Sequence, residues 1–307
     1  MKIGIFSPSS ACSPERYLKA KNQAIKLGHE LIETNDPTAF YGKNHFLFAC
    51  DSSSNRIEAL KKLLISKDVR LIHAARGGYG AFDLLPDLAK LKSELIRSPI
   101  SHPVFLAGFS DVTTILLALD GVSNLNLVHG SGFVDSFHDY QSDSNCELST
   151  NNLVELVEGR WKGYPNLSLQ NISNAKISAN EALCGRVIGG NLMVLASLVG
   201  SQFLPDFSGR ILFLEETGEK PYKVHRALSQ LKFAGAFDKL LGVVLGDFNK
   251  CTHEKGQGPN IDDVFKDIFS KFNYPVLRGF TGGHSSLNLP LIFTKPLLIG
   301  LTSIMPA

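Results

Sequence analysis

The sequence predicts an α/β protein whose first half is a parallel sheet covered by helices. Two observations carry this prediction: short apolar runs alternate with amphipathic segments, and turn-forming residues end the runs, as Ser7, Pro8 and Ser9 do after the first. We predict strands at 2–6, 31–33, 69–74, 104–107 and 125–130, and helices at 14–27, 55–65, 84–95 and 114–119.

The second half repeats the alternation after a polar stretch. A chain of 307 residues is long for one hydrophobic core, so we expect two domains. The polar stretch 141–174, with a short helix at 151–158, is the predicted connection, which gives domains at 1–160 and 161–307. We predict a strand from 182, further strands at 210–216, 240–246, 291–293 and 297–301, and helices at 191–199, 221–233 and 261–272.

Composition excludes several classes of partner. The net charge is +2 and the basic residues are spread along the chain, so no surface for nucleic acid or an anionic membrane is expected. No apolar run reaches the roughly 20 residues needed to span a bilayer, and the first apolar run is too short for a signal peptide. The five cysteines are scattered and never spaced as C-x-x-C, which favours reduced thiols in a cytoplasmic protein over disulfides or a zinc site.

Ser110 lies between a predicted buried strand and a predicted buried helix, with Gly108 and Phe109 before it. A serine on such a turn projects its hydroxyl away from the sheet and lies beside the unpaired N–H groups of the helix start, which suits a nucleophile. The local alternative is an ordinary helix N-cap, which is favoured on this stretch alone because Val112 stands where the usual nucleophile turn has a second glycine.

The segment Arg76-Gly77-Gly78-Tyr79-Gly80 follows the predicted strand 69–74. It lacks the G-x-G-x-x-G and G-K-[ST] spacings and is therefore a weak nucleotide signature. Its glycines leave backbone N–H groups exposed at the same edge of the sheet as Ser110. One of these N–H groups could therefore serve as an oxyanion-hole donor, with the N–H of Asp111 as the second.

Glu215 ends a buried strand, where a carboxylate needs a partner. That partner is either an imidazole N–H or a basic side chain, and Glu216 is alternatively a solvated strand end. His284 follows two glycines, which let a side chain be aimed into a cleft, and histidine titrates in the range that a general base needs. The order Ser110, Glu215, His284 matches the Ser, acid, His order of α/β-hydrolases, although the surrounding topology does not.

Five segments, in order along the chain, resemble motifs of the LD-carboxypeptidases, the muramoyltetrapeptide carboxypeptidase family that also contains the microcin C immunity peptidases. Each motif is weak alone, but five in register are specific, and the likeness covers nearly the whole chain. The segments are Arg76-Gly77-Gly78-Tyr79-Gly80, Gly108-Phe109-Ser110-Asp111-Val112-Thr113, Gly189-Gly190-Asn191-Leu192, Leu212-Phe213-Leu214-Glu215-Glu216, and Gly283-His284 with Asn288 and Pro290 on a loop expected to be held by the second domain.

The resemblance implies a flavodoxin-like N-terminal domain and a smaller β-rich C-terminal domain, with the active site between them and no metal or cofactor. It implies that Ser110 is the nucleophile, His284 the general base and Glu215 its orienting acid. The family pattern has Glu-Asp where this chain has Glu215 and Glu216, so the acid aligns with the first position. The implied oxyanion donors are the N–H groups of Gly78 and Asp111.

The implied substrate has a free terminal carboxylate, which needs a fixed cation or a set of N–H groups. Arg76 or Arg186 could supply the cation, and structural pairing is an equal alternative for either. Gly77 and Asn191 are also expected to contact the substrate.

The expected function is that of a cytoplasmic, homodimeric serine carboxypeptidase that releases terminal D-alanine from L,D-linked muropeptide tetrapeptides in cell-wall recycling. One alternative is an immunity-type peptidase that cleaves aminoacyl-nucleotide amides of the microcin C kind. The other is a flavodoxin-like binding module without catalysis.

Overall fold

A computed structural model describes residues 1–42, 48–253 and 258–307. The chain divides into two compact units. The first contains Met1–Trp161 and Ser286–Thr294, and the second contains Lys162–Ser285 and Lys295–Ala307. The chain therefore returns to the first unit after most of the second has been built.

The first unit is organised around a sheet of six strands. Five of them are parallel and run in the order 2-1-3-4-5, which is the flavodoxin-like order, so this part of the predicted fold is confirmed. The strands are β1 (Lys2–Phe6), β2 (Glu30–Glu33), β3 (Leu71–Ala74), β4 (Val104–Gly108) and β5 (Leu125–His129), and the helices are α1 (Pro14–Lys26), α2 (Ser53–Ile65), α3 (Leu85–Arg97), α4 (Thr113–Ala118), α5 (Phe133–Phe137) and α6 (Ser144–Val157).

The second unit is smaller and rich in strands, as expected. Its seven-stranded sheet has four parallel strands at its centre and antiparallel strands on both sides. In chain order the elements are β6 (Gln170–Asn171), β7 (Ala182–Asn191), α7 (Leu192–Ser197), β8 (Ile211–Thr217), α8 (Pro221–Phe233), β9 (Gly242–Asn249), α9 (Ile261–Phe269), β10 (Val276–Arg278), then β12 (Pro296–Gly300) and β13 (Ile304–Pro306). Strands β7, β8, β9 and β10 form the parallel centre.

The loop with Asn288 and Pro290 belongs to the first unit, so the expectation that the second domain holds it is wrong. Strand β11 (Leu291–Ile292) pairs antiparallel with β5, and both of its residues are buried. The N–H of Asn288 donates to Ser149 Oγ at 2.9 Å. The physical reason is that β5 would otherwise be an edge strand with unpaired backbone groups, and β11 satisfies them.

Helix α6 occupies much of the stretch expected to be a polar connection, and the predicted helix at 151–158 covers only its second half. The side chain of Asp143 caps it by accepting from Asn145 N at 2.9 Å. Cys146, Leu153 and Leu156 lie on its buried face, and its polar residues are mostly on the other faces. The polar composition therefore reflects a surface helix rather than a linker.

Within the described ranges, no helix has both the length and the apolar character needed to cross a membrane. The five cysteines form no disulfide. Burial raises the pKa of the Cys12 and Cys50 thiols to about 12, so both are protonated at neutral pH.

A substitution at Gly189 tests how closely the backbones of β7 and β8 approach each other. Its φ is +139°, and a Cβ there would lie 1.9 Å from the Phe213 carbonyl oxygen. We expect Gly189→Ala to lower the free energy of unfolding by about 3 kcal/mol or more, from backbone strain and overpacking together. Gly200→Ala is the matched control, because φ is +86° but nothing lies within 4 Å, and its cost should be only about 1 kcal/mol. If the two variants shifted the urea midpoint equally, the predicted steric clash at position 189 would be contradicted.

Candidate active site

Ser110 follows β4 after one intervening residue, Phe109, and opens a short 3-10 turn that leads into α4. Its φ is +59°, which is uncommon for a residue other than glycine. The cap positions of the turn and of α4 are Phe109 and Val112, and neither has a capping side-chain hydrogen bond. Ser110 therefore does not act as an N-cap. The strained, half-buried serine at a strand-to-helix turn has the backbone features of a nucleophile elbow.

The segment Gly77-Gly78-Tyr79-Gly80, which we call the glycine turn, lies directly against this serine. A Cβ on Gly77 would be 2.9 Å from the Cβ and 3.2 Å from the Oγ of Ser110, so this position has no room for a side chain. Gly78 is exposed, has φ +110°, and a Cβ there would lie 2.6 Å from Ser10 Oγ. Backbone, rather than side chain, is therefore what the turn presents beside Ser110.

Two serines after β1 tie these segments together, and sequence reasoning missed both. Ser9 Oγ donates to Asp111 Oδ2 at 2.6 Å, and Ala81 N donates to the same oxygen at 2.8 Å. Ser10 Oγ accepts from Tyr79 N at 3.1 Å. Burial raises the pKa of Asp111, while the hydrogen bonds from Ser9 and Ala81 lower it. The only available signal was that Ser9 and Ser10 lie in the loop after β1, at the same edge of the sheet as the carboxyl ends of β3 and β4.

In the second unit, Glu215 and His284 form a hydrogen-bonded pair. His284 Nδ1 lies 2.7 Å from Glu215 Oε2; the carboxylate is fully buried, and the imidazole is 19% exposed. Glu215 lies at a register shift between β8 and β9, an irregularity of the kind that redirects a side chain. A Cβ on Gly283 would lie 2.8 Å from Glu215 Oε2, so a glycine before the histidine is required for this contact.

Glu216 is engaged elsewhere. Its carboxylate accepts from Asn191 Nδ2 at 3.1 Å, from Met193 N at 2.9 Å and from Thr217 N at 2.8 Å. Burial raises its pKa, and the three donors counteract that shift. The Glu216 carboxylate is thus held by donors of its own, whereas Glu215 forms the hydrogen bond with His284.

Asp247 is a further carboxyl beside this pair that the sequence did not draw attention to. It lies in β9, where its N–H donates to Gly282 O at 2.9 Å. Burial raises its pKa; Ser285 and His284 lower it, and Glu215 raises it. Its Oδ2 is buried and makes no hydrogen bond with the residues that the structure describes. An acid following the apolar run of β9 was the available signal, as for Glu215 after the apolar run of β8.

The other residues expected to bind substrate have different surroundings. Arg76 is half-buried and donates to Ala11 O at 3.3 Å. Asn191 ends β7 and caps α7 by accepting from Val194 N at 3.2 Å. Arg186 lies in the middle of β7, opposite Pro296, and not at its carboxyl end. In the portion of the chain that is described, no group of three or more His, Cys, Asp or Glu is arranged to hold a metal ion.

The chain matches the family model of the LD-carboxypeptidase N-terminal domain over residues 3–130 and that of the LD-carboxypeptidase C-terminal domain over residues 184–298. It therefore belongs to the LD-carboxypeptidase family, which places it among the peptidases, a class of hydrolase.

Individual relatives agree over most of their length. The murein tetrapeptide carboxypeptidase of Pseudomonas aeruginosa is 26% identical, and the match covers 94% of this chain and 89% of that protein. The microcin C7 self-immunity protein MccF of Escherichia coli is 24% identical over 94% of this chain and 89% of its own. The crystal structure of muramoyltetrapeptide carboxypeptidase from Oxalobacter formigenes superposes with a TM-score of 0.75 at 23% identity, covering 99% of this chain and 97% of that one, which shows a shared fold.

The contacts of Glu216 predict a structural role. Glu216→Ala leaves buried donors of Asn191 and Met193 without this acceptor and should lower the free energy of unfolding by about 3 kcal/mol. Glu216→Gln keeps one acceptor oxygen and should cost clearly less. Urea unfolding of the two variants measures the difference, and an Ala variant as stable as wild type would refute the role.

Asp247 predicts a pH dependence of stability. The pKa of Asp247 in the folded protein lies above the ordinary value of 3.8. Below pH 3.8 the carboxyl is protonated in both the folded and the unfolded protein and costs no stability. As pH rises through the folded pKa, the buried carboxyl ionises and lowers the free energy of unfolding. We expect Asp247→Asn to raise the melting temperature at pH 8 and to have no effect near pH 4. A thermal melt series from pH 4 to 8 measures this, and a pH-independent difference would contradict it.

Proposed function

We propose that this protein is a serine carboxypeptidase that releases the terminal D-alanine from L,D-linked muropeptide tetrapeptides. The observation that carries the proposal is the hydrogen bond between Glu215 and His284, because a buried carboxylate that orients an imidazole is the arrangement a serine nucleophile needs. The Ser110 elbow supports it from the first unit. The name of the Pseudomonas aeruginosa relative supports the choice of substrate.

In the proposed reaction, Ser110 Oγ attacks the carbonyl carbon of the amide that joins the third residue to D-alanine, and His284 takes the hydroxyl proton. Glu215 accepts from Nδ1–H, which leaves Nε2 as the ring nitrogen for proton transfer. The oxyanion accepts hydrogen bonds from the N–H groups of Gly78 and Asp111. The C–N bond then breaks as His284 protonates the leaving amine, and water hydrolyses the acyl-enzyme.

For the terminal carboxylate of the substrate we propose Arg76 together with the backbone at Gly77. Arg76 immediately precedes the glycine turn, so the backbone that carries its side chain lies next to the proposed oxyanion donors. Its guanidinium is a suitable partner for a carboxylate. Contacts from Arg186 and Asn191 stay predictions, as do the cytoplasmic location and the homodimer. The substrate is a recycling intermediate in this proposal, which is why we place the reaction in the cytoplasm.

One observation favours a second candidate, an immunity-type peptidase acting on aminoacyl nucleotides. Tyr79, within the glycine turn, is 50% exposed, and the ring of Phe48, which is 71% exposed, lies 5.8 Å from it at 90°. Exposed aromatic rings can stack on a nucleobase. Trp161, the only tryptophan, is only 9% exposed and offers no such surface.

The proposal is tested by incubating the protein with a muropeptide tetrapeptide and an aspartyl sulfamoyl adenosine, each followed by mass. We expect loss of D-alanine from the tetrapeptide, and a fall of about 10⁴-fold or more in kcat for Ser110→Ala with an unchanged melting temperature. Glu216→Gln, assayed in parallel, should retain turnover. Cleavage of the nucleotide alone would favour the second candidate, and full turnover by Ser110→Ala would remove Ser110 from the mechanism.

A further inference from the structure

Arg56 is a buried charged residue that the proposed reaction does not use. It lies on α2 and is only 2% exposed. Its Nη1 donates to the carbonyl oxygens of Pro8 and Gly80, the latter at 2.7 Å. Pro8 lies in the loop after β1 and Gly80 closes the glycine turn after β3, so a single guanidinium holds two loops.

The carboxylate of Asp111 connects a third segment to the same two loops. Asp111 is 6% exposed, and its Oδ2 accepts from Ser9 Oγ in the first loop and from Ala81 N directly after the glycine turn. Strands β1, β3 and β4 are neighbours in the sheet, so the three segments lie side by side at its carboxyl edge. We call Arg56, Ser9 and the carboxylate of Asp111 the edge clamp.

The hydrogen bonds of the edge clamp stabilise the fold, but burying its charged groups also destabilises it. Burial lowers the pKa of Arg56 and raises that of Asp111, which reflects the desolvation of both charged groups. Apolar side chains of similar volume commonly stabilise a fold as well or better than buried charges do. The charged groups position the backbone more precisely than apolar packing would. Hydrogen bonds have narrow distance and angle preferences, and they therefore fix backbone atoms to within roughly tenths of an ångström.

The backbone fixed in this way carries the proposed oxyanion donors. Gly78 is two residues from the carbonyl bound by Arg56, and the Asp111 N–H belongs to the residue whose carboxylate is held. Space is tight throughout, since a Cβ on Gly80 would lie 3.3 Å from Arg56 Nη1 and one on Gly77 2.9 Å from Ser110 Cβ. An oxyanion donor is effective only when it is fixed at hydrogen-bond distance from the developing charge.

We propose that the edge clamp is a set of positioning residues, which hold the N–H groups of Gly78 and Asp111 against Ser110 so that the oxyanion is stabilised as it forms. This rests on the proposed function for the reaction and for the two oxyanion donors, whereas the contacts of the edge clamp itself are those described above. Loss of the edge clamp therefore slows the chemical step and leaves substrate binding nearly unchanged.

The test measures two rates on the full chain. One is D-alanine release from the tetrapeptide, resolved into kcat and KM. The other is labelling of Ser110 by a fluorophosphonate, in which the Ser110 Oγ–P bond forms, the P–F bond breaks, fluoride leaves and the hydroxyl proton passes to His284. Labelling needs the nucleophile and the oxyanion donors but no peptide, so it reports on the edge clamp even if the peptide substrate is wrong.

Four variants probe the edge clamp, and a fifth serves as the control. Asp111→Ala and Arg56→Lys should lower kcat and the labelling rate by about 10²-fold, with KM changed by less than about threefold. Ser9→Ala removes one donor and should have a smaller effect of the same kind. Asp111→Asn keeps an acceptor oxygen and should restore most of both rates. Ile57→Val, a mild core change on the same helix, should lower the melting temperature and leave both rates unchanged.

The outcomes separate the two proposals. Wild type that labels but releases no D-alanine refutes the proposed substrate, and the edge clamp is then judged on labelling alone. Rates equal to wild type in Ser9→Ala and Arg56→Lys, measured where both are fully folded, would overturn the edge clamp. A rise in KM alone would also overturn it, as would a wild type that does not label at Ser110.

Discussion

A carboxylate removed from water must find hydrogen-bond donors, and this requirement shapes both units of the protein. Asp111 meets it with a serine hydroxyl and a backbone N–H from two other segments, and Glu215 meets it with an imidazole. Glu216 meets it with two donors at the start of α7 and the N–H of the next residue in β8. Each carboxylate lies at or near the end of a parallel strand. The chain segments that follow these strands are therefore fixed by directional bonds to buried acids.

Glycines provide the space that these bonds need. Gly77 lies where a side chain would meet Ser110, Gly283 where it would meet Glu215, and Gly80 where it would crowd Arg56. In each case the side chain of a polar residue lies within 3.4 Å of the position that a Cβ would take, although at Gly80 the Cβ of Ala49 is nearer still. The glycine-rich motifs are thus explained by close approach of functional groups to backbone, and not by a need for flexible loops.

The regular elements were largely predictable, and the misses have physical causes. Strand β1 and helix α8 have the predicted bounds, because apolar periodicity and proline mark them clearly. Helix α5, the first half of α6 and strands β6 and β13 were not predicted, since they are short or carry few apolar residues. For these elements local propensity is weak, and packing against the rest of the unit decides their conformation.

The sequence by itself determined the α/β class with a parallel sheet in the first half, and it singled out Ser110, Glu215 and His284, because turn chemistry and buried strand ends are local signals. The flavodoxin-like form of the first half followed from the family resemblance. The family resemblance favoured Glu215 over Glu216, and the tertiary structure shows the contact of Glu215 with His284. Only the tertiary structure decided that Ser9, 102 residues away, binds Asp111. These contacts join residues distant in the chain. Their partners depend on strand order and on the face that each side chain occupies, which no short window of sequence specifies.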